Sequence, residues 1–173
     1  NFHYNALILN CVYNCDYCYL QGMYPSANIV VFVNTKAYFS ATSKAINQRV
    51  DSSTPLYLAI SYDTDLLALE SLVPYCHEWI EYSRRKDNLL IEIRTKSANY
   101  RALSDLVPHD QVVLAWSLSP EPVVSRYEIN TPPLERRLES AAQAIDDGWS
   151  VRLCFDPVLL IQNWRESYRQ LVD

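Results

Sequence analysis

Glycine is almost absent, with 2 in 173 residues. That scarcity excludes the Gly-rich loops G-x-G-x-x-G and G-x-x-x-x-G-K, through which dinucleotide and nucleoside-triphosphate folds bring bare backbone up to phosphate. No apolar run is long enough to span a bilayer, and the first residues carry neither the basic flank nor the cleavage pattern of a secretion signal. A soluble, cytoplasmic protein with no membrane partner is expected. Positive charge is in deficit: 15 Lys and Arg face 20 Asp and Glu, for a net charge of −5 and a pI near 5.2. An acidic chain offers no broad basic field to hold nucleic acid, so any such contact must be local. The cysteines lack an even count. There are 5, three of them within the stretch 11–18, and without an export signal this pattern argues for metal ligation by reduced thiols over disulfides.

What is present suits one compact domain over residues 1–173, since 49% of the residues are apolar. The chain opens on Asn1, enters an apolar segment almost at once, and ends on a helix pattern with no strand after it. These features read as a part excised from a longer protein. Short apolar runs bounded by turn residues predict strands at Ala6–Leu9, Leu56–Ile60, Leu89–Thr95, Val112–Leu118 and Val151–Phe155, with Ile29–Val33 as a further extended segment. Amphipathic stretches between them predict helices over Thr35–Val50, Asp65–Arg85, Ala98–Leu106, Pro133–Asp147 and Asn163–Val172. Asp65 suits an N-cap, and so does Thr131 with Pro132 and Pro133 after it. Alternating strand and helix without hairpin signals implies an α/β fold on a mainly parallel sheet.

Cys11-Val-Tyr-Asn-Cys15-Asp-Tyr-Cys18-Tyr-Leu-Gln follows the first predicted strand, where parallel α/β folds carry their working loops. Three thiolates from one short loop can hold three irons of a [4Fe–4S] cube, whereas an electron-transfer cluster would want a fourth cysteine. The remaining iron could bind the amino and carboxylate groups of S-adenosyl-L-methionine and pass one electron to its sulfonium. A structural zinc site, completed by His3 or a distant cysteine, is the alternative reading of the same spacing. A trio of plain core thiols fits poorly in a polar, tyrosine-rich turn.

At these residues the chain resembles the radical S-adenosylmethionine superfamily. The longer match Cys15-Asp-Tyr-Cys18-Tyr-Leu-Gln, followed by Phe32-Val-Asn, resembles the spore photoproduct lyase family, with weaker likeness at Thr95-Lys96, Trp116-Ser117 and Phe155-Asp156-Pro157. The resemblance implies a partial (β/α) barrel, a 5'-deoxyadenosyl radical as the working species, and repair of a thymine dimer in DNA. It also implies an electron donor such as flavodoxin or ferredoxin. The alternatives are a radical enzyme acting on a small molecule or peptide, and a non-catalytic zinc or cluster-binding module.

Period-two reading of the strands puts Glu92, Arg94 and Lys96 on one face, Ala115, Ser117 and Ser119 on the next, and Ser150, Arg152, Cys154 and Asp156 on the last. Lys96, Ser117 and Asp156 come near the C-terminal ends of their strands and are the candidate cofactor contacts. The same faces could instead carry an internal salt-bridge layer. By resemblance Lys96 pairs with the carboxylate of S-adenosylmethionine, Ser117 hydrogen-bonds to it, and Tyr17 lies beside it. The pattern breaks at Ala59-Ile-Ser-Tyr62-Asp-Thr-Asp65. There the family carries a cysteine that returns a hydrogen atom to the product radical, and this chain has Tyr62. Tyr62, Tyr17 and Tyr19 are therefore the candidate catalytic relay. Cys154 is the one thiol expected near the cavity, and Cys76 reads as core. Arg84-Arg85-Lys86 and Arg136-Arg137 read as solvated helix surface.

Overall fold

The alternation of apolar runs and amphipathic stretches folds as an α/β protein in a computed structural model that describes residues 3–173. Asn1, on which the reading of an excised start partly rests, lies outside the described residues. In chain order the elements begin β1 (His3–Tyr4), β2 (Ile8–Leu9), β3 (Asn14–Cys15), α1 (Leu20–Met23), β4 (Val30–Val31) and α2 (Thr35–Asn47). There follow β5 (Leu56–Ala59), α3 (Leu66–Leu69), α4 (Tyr75–Ser83), β6 (Leu89–Thr95), a 3-10 turn at Tyr100–Leu103, and β7 (Val112–Ser117). The chain closes with α5 (Glu121–Tyr127), β8 (Glu128–Ile129), α6 (Leu134–Asp146), β9 (Ser150–Cys154) and α7 (Trp164–Val172).

Five strands make one all-parallel sheet in the order β1-β5-β6-β7-β9. Parallel neighbours require a crossover between each pair, so the C-terminal ends of all these strands open on one rim. Leu89, Ile91 and Ile93 of β6 and Val112, Leu114 and Trp116 of β7 point to one face, where they pack with Leu66, Leu67, Trp79 and Ile80 of α3 and α4. Glu92 and Arg94 alternate onto the opposite face, as period-two reading predicts. No helix among the described residues is long and apolar enough to cross a membrane.

Several expectations give way to tertiary pairing. The sheet's edge strand is His3–Tyr4, while Ile8–Leu9 pairs antiparallel with Val30–Val31. Both segments are apolar, and periodicity does not say which partner each will find. β3 and β8 form a second antiparallel pair, which no local signal reveals because its paired residues, Asn14 with Ile129 and Cys15 with Glu128, lie far apart along the chain. The expected helix Asp65–Arg85 splits at Pro74, whose ring removes a backbone donor. The expected helix Ala98–Leu106 shortens to the 3-10 turn, and α5 with β8 arises where no element was expected. Asp65 does cap α3, accepting from the Ala68 N–H at 3.1 Å. Thr131 does not cap α6. That helix follows Pro133, and the Thr131 hydroxyl donates to the Glu128 carbonyl at 2.7 Å.

The break at Pro74 is closed by Glu70. Its carboxylate accepts from the Cys76 N–H at 2.8 Å and the His77 N–H at 2.9 Å, serving the orphan donors of the first turn of α4. It also meets His77 Nδ1 at 2.7 Å, and His77 Nε2 lies 2.9 Å from Asp105. Burial works to lower the His77 pKa, but the two carboxylates outweigh it and hold the imidazole above its ordinary 6.5. A folded-state pKa raised above the unfolded one contributes stability that is full below that unfolded value and lost as pH rises through the raised one. Chemical denaturation at about pH 6 and about pH 9 should therefore show His77→Gln losing stability at the lower pH and little at the higher. Equal losses at both would disprove the clasp.

Candidate functional site

The cysteine loop leaves β2 through Asn10, which takes a left-handed φ of 66°. Asparagine tolerates that conformation, and here its side-chain amide donates to the carbonyls of Ser26 and Asn28, both at 2.7 Å. The loop is then clamped from a distant part of the chain. Cys15 sits opposite Glu128 in the β3–β8 pair, and the Asp16 N–H donates to the Tyr127 carbonyl at 2.8 Å. A turn from the Cys18 N–H to the Cys15 carbonyl at 3.0 Å brings the third cysteine round. All five cysteines are free thiols.

Cys11, Cys15 and Cys18 line one cavity of about 480 Å³ over the C-terminal rim of the sheet. Tyr17, Tyr19, Tyr62, Lys96, Ser117 and Asp156 border the same space, so the candidate ligands, cofactor contacts and relay residues line one wall. Cys154 does not: it is buried beneath, beside the charged groups of β6 and β9. Cys76 is wholly buried in the core. Tyr13, Ser61, Asp65, Glu92 and Arg94 also line the cavity. Glu92 and Arg94 could have been taken from the polar face of β6, whereas Asp65 gave only a helix-cap signal.

Charge around the cavity is arranged in two groups. Below, Glu92 is buried and receives the Tyr57 hydroxyl, Arg94 at 3.0 Å and Arg152 at 2.5 Å, and Arg94 reaches Asp156 at 3.4 Å. This is the internal salt-bridge layer, and it engages Asp156. At the cysteine loop, the Tyr17 hydroxyl donates to Glu128, which is paired with Arg137 at 2.6 Å. Arg137 is fully buried, which corrects the expectation that Arg136-Arg137 is solvated helix surface. The neighbouring pattern at Arg84 is mixed: its guanidinium is half-buried, donating to the Val107 carbonyl at 2.5 Å. Lys96 is placed with its ammonium 5.6 Å from the centre of the Tyr17 ring. Tyr62 packs at a tilt against Tyr4 with ring centres 4.3 Å apart, and the Tyr19 hydroxyl donates to the Tyr62 carbonyl at 3.1 Å.

Burial pushes the Cys11 thiol up to about 12, with the negative charge of Asp65 adding to it. Burial likewise lifts Cys15 to about 11 against the opposing pull of Lys96. Thiols held this high ionise when a cation arrives to compensate them, which is what iron or zinc does to a ligating cysteine. Among the described residues no three His, Cys, Asp or Glu side chains converge closely enough to share one metal ion. Three soft thiols on one short loop are a donor set that a zinc ion or an iron–sulfur cluster can take. Burial raises Asp65, and bonds from the Thr95 hydroxyl and the Lys96 and Ala68 N–H groups oppose that rise. Burial also tends to raise Glu128, but Arg137, the Tyr17 hydroxyl and Lys96 hold its carboxyl below the usual range.

Comparison with known proteins adds a family to this geometry. The family model described as spore photoproduct lyase matches residues 4–173. The chain is 24% identical over 164 residues to the spore photoproduct lyase of Bacillus subtilis, covering 94% of this chain and 47% of that protein. With the Clostridium acetobutylicum spore photoproduct lyase it shares 27% over 170 residues, covering 96% and 49%. It thus spans about half the length of these curated relatives. A solved spore photoproduct lyase complexed with dinucleoside spore photoproduct superposes with a TM-score of 0.89 at 23% identity, covering 95% of this chain and 48% of that one. A double mutant of a spore photoproduct lyase with bound AdoMet and dinucleoside spore photoproduct gives the same values. At such identity the likeness establishes the shared fold, a partial α/β barrel.

Asp65 is the node that joins helix, strand and cavity, accepting from the Thr95 hydroxyl and the Lys96 N–H, both at 2.7 Å, as well as from Ala68. Asp65→Ala strips a cap and leaves two buried donors unserved, so a loss of roughly 2–4 kcal/mol is expected in urea denaturation. Wild-type stability in that variant would contradict the assignment.

Proposed function

This chain belongs to the spore photoproduct lyase family, and we propose that it carries the cluster and cofactor site of a radical S-adenosylmethionine lyase acting on a thymine lesion in DNA. The single observation that carries this reading is the meeting of three loop cysteines with Lys96, Ser117 and Tyr17 around one cavity at the rim of a parallel sheet. Cys11, Cys15 and Cys18 would hold three irons of a [4Fe–4S] cluster. When bound, such a cluster supplies the one electron that cleaves the sulfonium of S-adenosylmethionine to yield a carbon radical.

The chain's own residues bind and orient. The Lys96 ammonium pairs with the cofactor's carboxylate, a charge-assisted contact of the strong kind. Ser117, at the end of β7, donates its hydroxyl to the same ligand, and the ring of Tyr17 forms the adjoining wall. Asp156, held by Arg94, borders the outer rim. The lesion enters from the mouth, extruded from the base stack, as suits an acidic protein with a local pocket, since damaged bases cost less to unstack. A flavodoxin or ferredoxin is the proposed electron donor.

Tyr62 occupies the place where the family resemblance calls for a hydrogen-donating cysteine. On the wall the Tyr17 hydroxyl donates to Glu128 and the Tyr19 hydroxyl to the Tyr62 carbonyl and Asp63, and Tyr62 stands at the position of the family's donor. A phenol surrenders hydrogen less readily than a thiol, and this favours a second reading in which the same radical chemistry serves a different substrate. Lesion-bearing oligonucleotide repaired no faster than cofactor is cleaved without it would select the second reading.

Anaerobic reconstitution should give iron and sulfide in near-equal amounts, and zinc without sulfide would overturn the proposal. Cys11→Ala, Cys15→Ala and Cys18→Ala should each abolish reductive cofactor cleavage, while Cys76→Ala retains it. Lys96→Ala should weaken S-adenosylmethionine binding by roughly tenfold or more with the cluster's absorbance unchanged, as loss of a charged contact requires. Unaltered affinity would remove Lys96 from the site.

A further inference from the structure

Arg137 is a fully buried guanidinium on a helix whose pattern suggested an exposed face, and nothing in the cofactor chemistry uses it directly. We propose that Glu128 and Arg137 are positioning residues of the cofactor site, holding Tyr17 and the cysteine loop in register with the end of β7. The inference rests on the cofactor reading given above and extends it to residues that do not touch the cavity.

The contacts run in one continuous chain. Arg137 donates to the Ser117 carbonyl at 3.2 Å, the Pro132 carbonyl at 2.9 Å and the Thr131 hydroxyl at 2.6 Å, and pairs with Glu128 Oε2 at 2.6 Å. Three hydrogen-bond acceptors and the Glu128 carboxylate around one planar guanidinium fix its plane, which an ammonium could not do. Glu128 Oε1 then accepts from the Ser119 hydroxyl at 2.9 Å and from the Tyr17 hydroxyl. The backbone of Glu128 faces Cys15 in the β3–β8 pair. One ion pair thus touches the segment bearing a candidate iron ligand, the ring beside Lys96, and the strand end that bears Ser117. Without Glu128 as acceptor, the Tyr17 ring loses what fixes its position 5.6 Å from the Lys96 ammonium.

The test uses reconstituted protein and reads equilibrium binding of S-adenosylmethionine by dialysis, with cluster absorbance and thermal midpoint recorded alongside. Tyr17→Phe and Glu128→Gln should each weaken binding roughly tenfold, about the loss of one charge-assisted hydrogen bond. The double variant should be no weaker than the worse single one, because both cut the same chain of contacts. Arg137→Lys should retain part of the affinity that Arg137→Met loses, and Arg136→Ala, on the exposed face, should match the wild type. Where Glu128→Gln or Arg137→Met fails to fold, Tyr17→Phe still decides the matter, since it removes a single hydroxyl. Wild-type affinity in Tyr17→Phe and Glu128→Gln, or losses that add in the double variant, would overturn the positioning role while leaving the cofactor reading intact. Wild-type protein that forms its cluster and binds no S-adenosylmethionine would sink both.

Discussion

Glu128 and Arg137 are charges that water does not reach, and the working end of the molecule is assembled around them. A buried ion pair adds little net stability, because desolvating both partners consumes most of their attraction, but removing one partner leaves a bare charge at a cost of about 3–5 kcal/mol. The value of such a pair is in geometry. Here it joins α6, the end of β7, β8 and the cysteine loop, pieces of chain that share no local sequence signal. The loop could fold in many ways by itself, and Tyr17 could turn freely. The pair removes that freedom.

A second set of charges does comparable work on the floor of the cavity. Glu92 sits between Arg94 and Arg152 with the Tyr57 hydroxyl donating to it, so a buried carboxylate is fully served and two cations are held beside the site. Asp65 performs the analogous task at the start of α3, where its bonds to Thr95 and the Lys96 backbone set the point at which β6 ends. Lys96 differs from these residues. Its ammonium lies over the Tyr17 ring, and the residue lines the cavity that the cysteines share. The contrast between paired structural cations and this one is the electrostatic case for Lys96 as a ligand contact.

The chain belongs to the spore photoproduct lyase family, and one residue of the cavity wall departs from the pattern that the resemblance implied. Tyr62 brings a bulky phenol, packed at a tilt against Tyr4, to a position where the resemblance called for a small thiol. The Tyr62 carbonyl accepts from the Tyr19 hydroxyl, so this residue is joined to the cysteine loop, while Lys96 lines the same cavity.

The cysteine spacing, the parallel α/β alternation and the polar faces of β6, β7 and β9 were legible in the sequence, because each depends on residue type at short, fixed separations. Period two alone placed Glu92 and Arg94 on the cavity side and Ile91 and Ile93 in the core. What stayed hidden depends on separation along the chain that no local pattern encodes. Arg137 read as helix surface, although the fold closes over it and gives its guanidinium three hydrogen-bond acceptors and a buried carboxylate. Thr131 read as a cap, although its hydroxyl is taken by Glu128 and Arg137. The apolar run Ala6–Leu9 read as a sheet strand, although backbone pairing gave that position to His3–Tyr4. Local chemistry fixed which groups could hold a cluster, and only the long-range closure of β3 on β8 decided where they stand, because a strand pairing across more than a hundred residues exists in three dimensions and nowhere else.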